Sequence, residues 1–403
     1  MEITLPTLTS TSAREAAAPP GTGVRAGNAP SATRVTSLDA WRGVACLAVV
    51  LVHASAPVTT HMFPGLRANP VVALSYLGNL GVQIFFCISG FCIANAAARS
   101  IGSSAACRSY VVARFRRIYP PYLAATIFAL VLTFFAEYAL SHHIIASSAR
   151  ADIDLRHQGP AFFVATLLLL QVPLHSALLI FPVWSLNYEV AFYAIVLAVL
   201  FLTTRLARNG QEFITALHIF TLACIAVAVA IPAAATFPFD LWPQFGIGVL
   251  LYDLVANPGS MRPRLFGVAI VTMIVLQIAF RDAPTINPND QTLLARYSVC
   301  LLVAVIVWQT RRFEPLFMNN FVVRILSGIG AFSYSLYLTH EPVTMSVLQL
   351  ARKSHHMTQA NYPIVFTFQI VAALIFAYAF YRLCEAPFLS QRDKAIHRAA
   401  TAV

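Results

Sequence analysis

Apolar runs long enough to cross a bilayer recur along almost the whole of this chain, and they restrict its fold more than any other feature. They fall near 38–57, 72–97, 122–141, 161–181, 183–204, 214–236, 240–256, 265–280, 292–310, 325–350 and 362–383. Only 11% of the 403 residues are charged and 58% are hydrophobic, too little charge to cover a soluble surface of this length. The expected fold class is all-α: a polytopic membrane helical bundle.

The net charge of +11 would suit nucleic acid, but its distribution points elsewhere. All but two of the 27 basic residues are arginine, the exceptions being Lys353 and Lys394, and most sit just outside apolar segments, where topology-setting charges belong. No nucleic-acid partner is expected; the bilayer is. The seven cysteines show neither metal-ligand spacing nor an even disulfide count, and read as small packing residues.

The arginines also set an expected topology. With residues 1–36, rich in Ala, Pro, Ser, Thr and Gly, as a disordered cytoplasmic tail, the loop carrying Arg99, Arg108, Arg114, Arg116 and Arg117 falls inside. If 161–181 spans, Arg205 and Arg208 fall on the wrong face. If it does not, the clusters Arg205/Arg208, Arg262/Arg264, Arg311/Arg312/Arg324 and Arg392/Lys394/Arg398 all lie inside. Gln171, Pro173 and His175 interrupt this run, so a re-entrant or interfacial segment is expected. That leaves about ten transmembrane helices within a domain at 37–388, a cytoplasmic tail at 389–403, and both termini cytoplasmic. Arg352 and Lys353 are the exception, falling outside beside Arg281. The run ending at His53 ahead of Ala54-Ser55-Ala56 looks like a cleavable signal, but Pro57 disfavours cleavage there, and a retained first helix is expected.

Ionisable groups inside apolar segments are functional candidates. RGVACLAVVLVH places His53 roughly 16 Å along a helix from Arg42; a histidine hydrogen-bonded between helices, or one near the exit face, is the plainer alternative. GVQIFFCISGF (81–91) offers Ser89 between glycines suited to close helix approach. ARFRRIYPPY (113–122) spaces Arg114 and Arg117 for one helical face, and the Pro120-Pro121 pair is expected to break or start a helix. Glu189 lies in VWSLNYEVAFY, about a turn and a half from Trp184, with no basic residue nearby in sequence. GAFSYSLYLTHEPV puts Ser333, Tyr337 and His340 or Glu341 on one side of a helix. Glu385, in the CEAP stretch, reads as structural. From the residues alone, a transporter or flippase using His53 and Glu189 as a proton relay is an alternative to an enzyme.

These five stretches, in this order, closely resemble the acyltransferase 3 family of integral-membrane O-acyltransferases over roughly residues 37–388. The family's Arg/Lys-x10-His element appears as Arg42 and His53. Its G-V-x-x-F-F-x-x-S-G-F stretch is Gly81 to Phe91, and R-x-x-R-I-x-P-x-Y is Arg114 to Tyr122. W-S-L-x-x-E is Trp184 to Glu189, and S-Y-x-x-Y-L-x-H is Ser333 to His340. The resemblance implies a bacterial inner-membrane enzyme. It would transfer an acyl group, usually acetyl, from a coenzyme A thioester to a hydroxyl of a glycan or small molecule. The thioester, acetyl-CoA in the usual case, would be a co-substrate rather than a bound cofactor. Imidazole has the pKa such a base needs, so His53 is expected as general base with Glu189 orienting it. Arg42, Arg114 and Arg117 are expected at the coenzyme A phosphates, and Ser89, Trp184, Ser333, Tyr337 and His340 at the substrate. No metal site is expected.

Overall fold

The computed structural model describes residues 35–144, 153–206, 208–281 and 292–389. Most of the two expected tails lies outside the described residues. The described chain is helical throughout and contains no strand. Its α-helices are α1 (Ser37–His61), α2 (Pro70–Ser75), α3 (Gly81–Ala98), α4 (Ser104–Ser141), α5 (Pro160–Leu168), α6 (Val183–Arg205) and α7 (Gly210–Ala230). They continue with α8 (Trp242–Ala256), α9 (Met261–Arg281), α10 (Leu293–Thr310), α11 (Glu314–Met318), α12 (Phe321–Ala331), α13 (Ser333–Lys353) and α14 (Tyr362–Phe380).

Eight helices are long and apolar enough to cross a membrane, or up to nine if the bent pair α12–α13 counts as one span. The expected ten is corrected at two places. Segment 325–350 is not one rod: α12 and α13 meet at 76° around Phe332. Segment 240–256 forms α8, whose 15 residues reach only ~22 Å, short of a ~30 Å hydrocarbon core. Every residue of α8 from Trp242 to Asp253 is buried. Hydropathy alone cannot distinguish a helix wrapped by protein from one wrapped by lipid.

The doubtful run at 161–181 does not span. α5 has nine residues, ~13 Å, and stops at Leu169, whose φ of 56° is left-handed. The residue that made this run doubtful, Gln171, ties it down. Its amide donates to Tyr122 Oη (3.1 Å) and its carbonyl accepts from Asn187 Nδ2 (3.0 Å), bridging α4 and α6.

The proline pair does not break α4. The helix runs 38 residues, ~57 Å, through both prolines. Pro120 and Pro121 leave the Arg116 and Arg117 carbonyls without their i+4 donors, yet the helix continues through them; Tyr334 Oη of α13 donates to the next carbonyl, that of Ile118 (2.9 Å).

Two backbone crossings place the polar residues. α1 packs most closely on α12, where a Cβ on Gly43 would lie 2.0 Å from the Leu326 carbonyl oxygen and one on Gly330 1.8 Å from that of Asp39. α3 packs on α8 in the same way, with Gly90 against Phe245 O and Gly248 against Cys87 O. No residue but glycine permits such approach, and two of these four, Gly43 and Gly90, adjoin Arg42 and Ser89 in sequence. The start of α1 is tethered as well. The Glu314 carboxylate accepts from the backbone N–H and hydroxyl groups of both Thr36 and Ser37. All seven cysteines are free thiols, and Cys46, Cys87, Cys224 and Cys300 are buried, consistent with packing.

Candidate active site

A small cavity lies among α1, α3, α4, α6 and α13, holding ≈ 60 Å³, room for a few waters. Its lining includes Arg42, Ser89, Arg117, Glu189, Ser333 and Tyr337. Residues from each of the five singled-out stretches therefore meet at a single place.

Glu189 is held in position. Ser89 Oγ donates to its Oε1 (3.0 Å), and so does the Tyr193 hydroxyl one turn along α6. Oε2 accepts no hydrogen bond among the described residues. Arg117 lines the same cavity, and the carboxylates whose charge it feels are Glu189 and Glu385. Its guanidinium makes no hydrogen bond or ion pair among the described residues. Arg42 has one distant partner, Asp39 at 3.8 Å, and its Nε is buried without any.

Glu385 reaches this neighbourhood because a π-helical turn, Tyr381–Glu385, follows α14. It accepts from the Ser335 backbone N–H (3.2 Å) and hydroxyl, capping the first turn of α13. The structural role read for it thus has a specific content: it fixes the start of the helix bearing Ser333, Tyr337 and His340.

Tyr337 closes one end of the cavity. Its hydroxyl shares a hydrogen bond of 2.6 Å with Ser185 and donates to the Pro182 carbonyl (3.0 Å). On its far side the His340 ring centroid lies 5.8 Å away, and His340 meets His53 edge-on at 5.1 Å. Phe181 covers His53 at 5.8 Å. The Nδ1 of His340 is 3.0 Å from the Leu336 carbonyl, so it carries the proton, and Nε2 is a buried lone pair with no partner. His53 is half-buried and makes no hydrogen bond among the described residues.

Three expectations are corrected by this geometry. Glu189 does not contact His53: its partners are Ser89 and Tyr193, and Tyr337 stands between the carboxylate's chamber and the histidine pair. Arg114 does not line the cavity. Its guanidinium sits 5.8 Å from the rings of both Tyr110 and Tyr193, a turn behind Arg117, in a separate surface recess. Trp184 is also absent from the lining, packing edge-on to Tyr188 at 6.0 Å. Sequence reading missed Ser185 and Tyr193, although both stand four residues from Glu189 on the same helical face. Among the described residues no cluster of three or more His, Cys, Asp or Glu side chains could hold a metal ion.

The helices thus define a polytopic membrane protein with a charged chamber next to a pair of neutral-capable imidazoles. The chain belongs to the acyltransferase 3 family, whose family model, described as an acyltransferase domain, matches residues 35–382. It is a membrane acyltransferase. No curated protein and no solved structure matches it.

Proposed function

We propose that this protein moves an acyl group, in the first instance acetyl, from coenzyme A to a hydroxyl of a cell-surface or exported glycan at a bacterial inner membrane, with both termini cytoplasmic. The observation that carries this reading is Arg117, a cation inside the bundle that lines the cavity with its hydrogen-bonding capacity unused. A guanidinium on the wall of a cavity with its donors unused is placed to take a bound anion through charge-assisted hydrogen bonds. The phosphates of coenzyme A suit a guanidinium fork at Arg117 and Arg42. The free Oε2 of Glu189 suits an amide N–H of the donor's pantetheine arm.

The thioester then reaches past Tyr337 to the histidines. The acceptor hydroxyl oxygen attacks the thioester carbon as His53 takes its proton; the C–O bond forms, the C–S bond breaks, and the proton passes to the departing thiolate. His53 is assigned as base because it is the accessible member of the pair. His340 is fully buried, and its tautomer, set by Leu336, packs and orients the His53 ring. With ≈ 60 Å³ of free space, donor entry requires the Tyr337–Ser185 contact to open.

The test is binding and turnover of labelled acetyl-CoA by purified protein in nanodiscs, with release of free thiol and labelled glycan as readouts. Binding that weakens in Arg117→Ala, and turnover lost in His53→Ala with binding intact, are the expected results. A folded protein that binds no coenzyme A thioester overturns the reading.

A further inference from the structure

At the end of the bundle where α6, α8 and α10 begin, a carboxylate and a guanidinium stand near each other without closing. The Tyr188 hydroxyl of α6 donates to Oδ2 of Asp240 (3.0 Å), just ahead of α8. The charge of Arg296, in the first turn of α10, reaches both groups. Yet Arg296 makes no ion pair or hydrogen bond among the described residues. Its Nε is buried without a partner, and so is Asp240 Oδ1. The same residue types close to 2.6 Å at Asp253 and Arg262. A pair that served only to hold helices together would close in the same way.

A run of rings joins this pair to the reacting groups. Phe181, itself exposed, covers His53 at 5.8 Å. Trp184 and Tyr188 follow Phe181 at i+3 and i+7, ~10 Å along the chain at helical rise, the reach of a short oligosaccharide. Trp184, absent from the donor cavity, is half-buried and meets Tyr188 edge-on at 6.0 Å. Phe237 meets Tyr188 as well, at 4.7 Å. A tyrosine of the lipid interface stands at the surface, whereas Tyr188 is buried with its hydroxyl committed to Asp240.

The chemistry of the pair favours one kind of ligand. A carboxylate only accepts hydrogen bonds and a guanidinium only donates them, whereas a sugar hydroxyl does both. Adjacent hydroxyls of one ring can bridge Asp240 and Arg296 without bringing a net charge, and the face of Trp184 offers apolar surface to sugar C–H groups. An anion drawn to Arg296 is repelled by Asp240, and a cation meets the reverse. Spare polar capacity extends further. Four residues on, in the first turn of α8, Gln244 is 1% exposed, and neither its amide nitrogen nor its oxygen has a partner.

We propose that Asp240 and Arg296 are specificity-determining residues for the acceptor: they hold a neutral sugar by adjacent hydroxyls, further along the glycan than the hydroxyl that His53 deprotonates. The inference rests on the acyltransferase reading and adds the charge class of the acceptor and the residues that select it. The test uses the full chain in nanodiscs with labelled acetyl-CoA. Its acceptors are oligosaccharides released from the producing cell's own surface glycan, separated into a neutral and a uronate-containing pool. The wild type should label the neutral pool. Arg296→Gln should raise KM for that pool roughly 10-fold, the worth of a charged hydrogen bond, with kcat held. Coenzyme A binding, which also reports folding, should not change, and Arg296→Lys should recover part of the loss. Asp240→Asn should raise the same KM and gain transfer to the uronate pool, because Arg296 then stands without an opposing charge. Misfolding cannot produce such a gain. Unchanged KM in either variant overturns the site, as does no gain on the uronate pool in Asp240→Asn or a wild type that prefers that pool. A wild type that binds coenzyme A but labels neither pool overturns the glycan reading, and the site with it.

Discussion

Asp253, where α7, α8 and α9 meet, has both carboxylate oxygens occupied. Oδ2 accepts from His218 Nε2 (3.0 Å), and Oδ1 accepts from Arg262 (2.6 Å) and Asn257 (2.8 Å). Phe266 stacks on His218 at 4.8 Å, and neither His218 nor Asp253 has any exposed side-chain surface. Glu189 is built the other way. One oxygen takes both of its hydrogen bonds, the other takes none among the described residues, and Arg117 lines the same cavity without pairing to it. Both are ionisable groups inside a helical bundle, Asp253 fully buried and Glu189 half-buried. What sets their roles apart is how many valences the fold has already filled. The first cluster locks three helices together; the second is left able to take a ligand.

Substitutions can break this contrast in either direction. The largest effect is expected at His53, beside the unfilled chamber. His53→Ala should lower transfer by ~10²–10⁴-fold with coenzyme A binding and thermal stability unchanged, because a base acts on the transition state and not on donor affinity. Near-normal turnover would move the base to His340. At the filled cluster the expected loss is of stability instead. Asp253→Ala leaves the buried His218 and the half-buried Arg262 without their carboxylate, a cost of ~3–5 kcal/mol, visible as a lower melting temperature in detergent with turnover per folded molecule preserved. A loss of turnover without destabilisation would mean that the cluster takes part in the reaction.

Next is Arg117→Ala, which should weaken coenzyme A binding about 10–100-fold, with partial rescue by Lys, since a charged hydrogen bond is lost and only the fork geometry distinguishes the two cations. Unchanged affinity would reduce Arg117 to a topology charge. Glu189→Gln keeps an acceptor for Ser89 and Tyr193 and removes the charge. It should alter donor KM while leaving the pH optimum in place, because His53 is not its partner; a shifted optimum would join the two. Smallest is Arg114→Ala, which removes two ring contacts, ~0.5–1 kcal/mol each, and should change coenzyme A affinity only a few-fold.

Much of this was legible in one dimension. Apolar runs define the membrane class and the helices, the interruption at Gln171 marked the segment that does not span, and five short stretches marked every element that lines the cavity. The misreadings have a common origin. The 240–256 run looked like a span because apolar residues on all sides mean the same to a hydropathy count whether lipid or protein surrounds them. The Pro120-Pro121 pair looked like a break because whether a helix continues through proline depends on the packing around it, and that packing, with Tyr334 donating beside the pair at Ile118, comes from more than 200 residues away.

Arg114 and Arg117 show most clearly where sequence stops. Their spacing puts them on one face of α4, yet one lines the cavity and the other stacks between Tyr110 and Tyr193. Periodicity orients a side chain about its own helix. Which partner it meets depends on how another helix crosses, and here the crossings are set by backbone contact at Gly43 with Gly330 and at Gly90 with Gly248. Sequence alone therefore determined a helical membrane acyltransferase of this family and the stretches that carry its chemistry. The tertiary structure decided which arginine stands open to a ligand, that Glu189 is held by Ser89 and Tyr193 and not by His53, and that His53 and His340 pair behind Tyr337. These are contacts between helices far apart in the chain, where no local pattern acts.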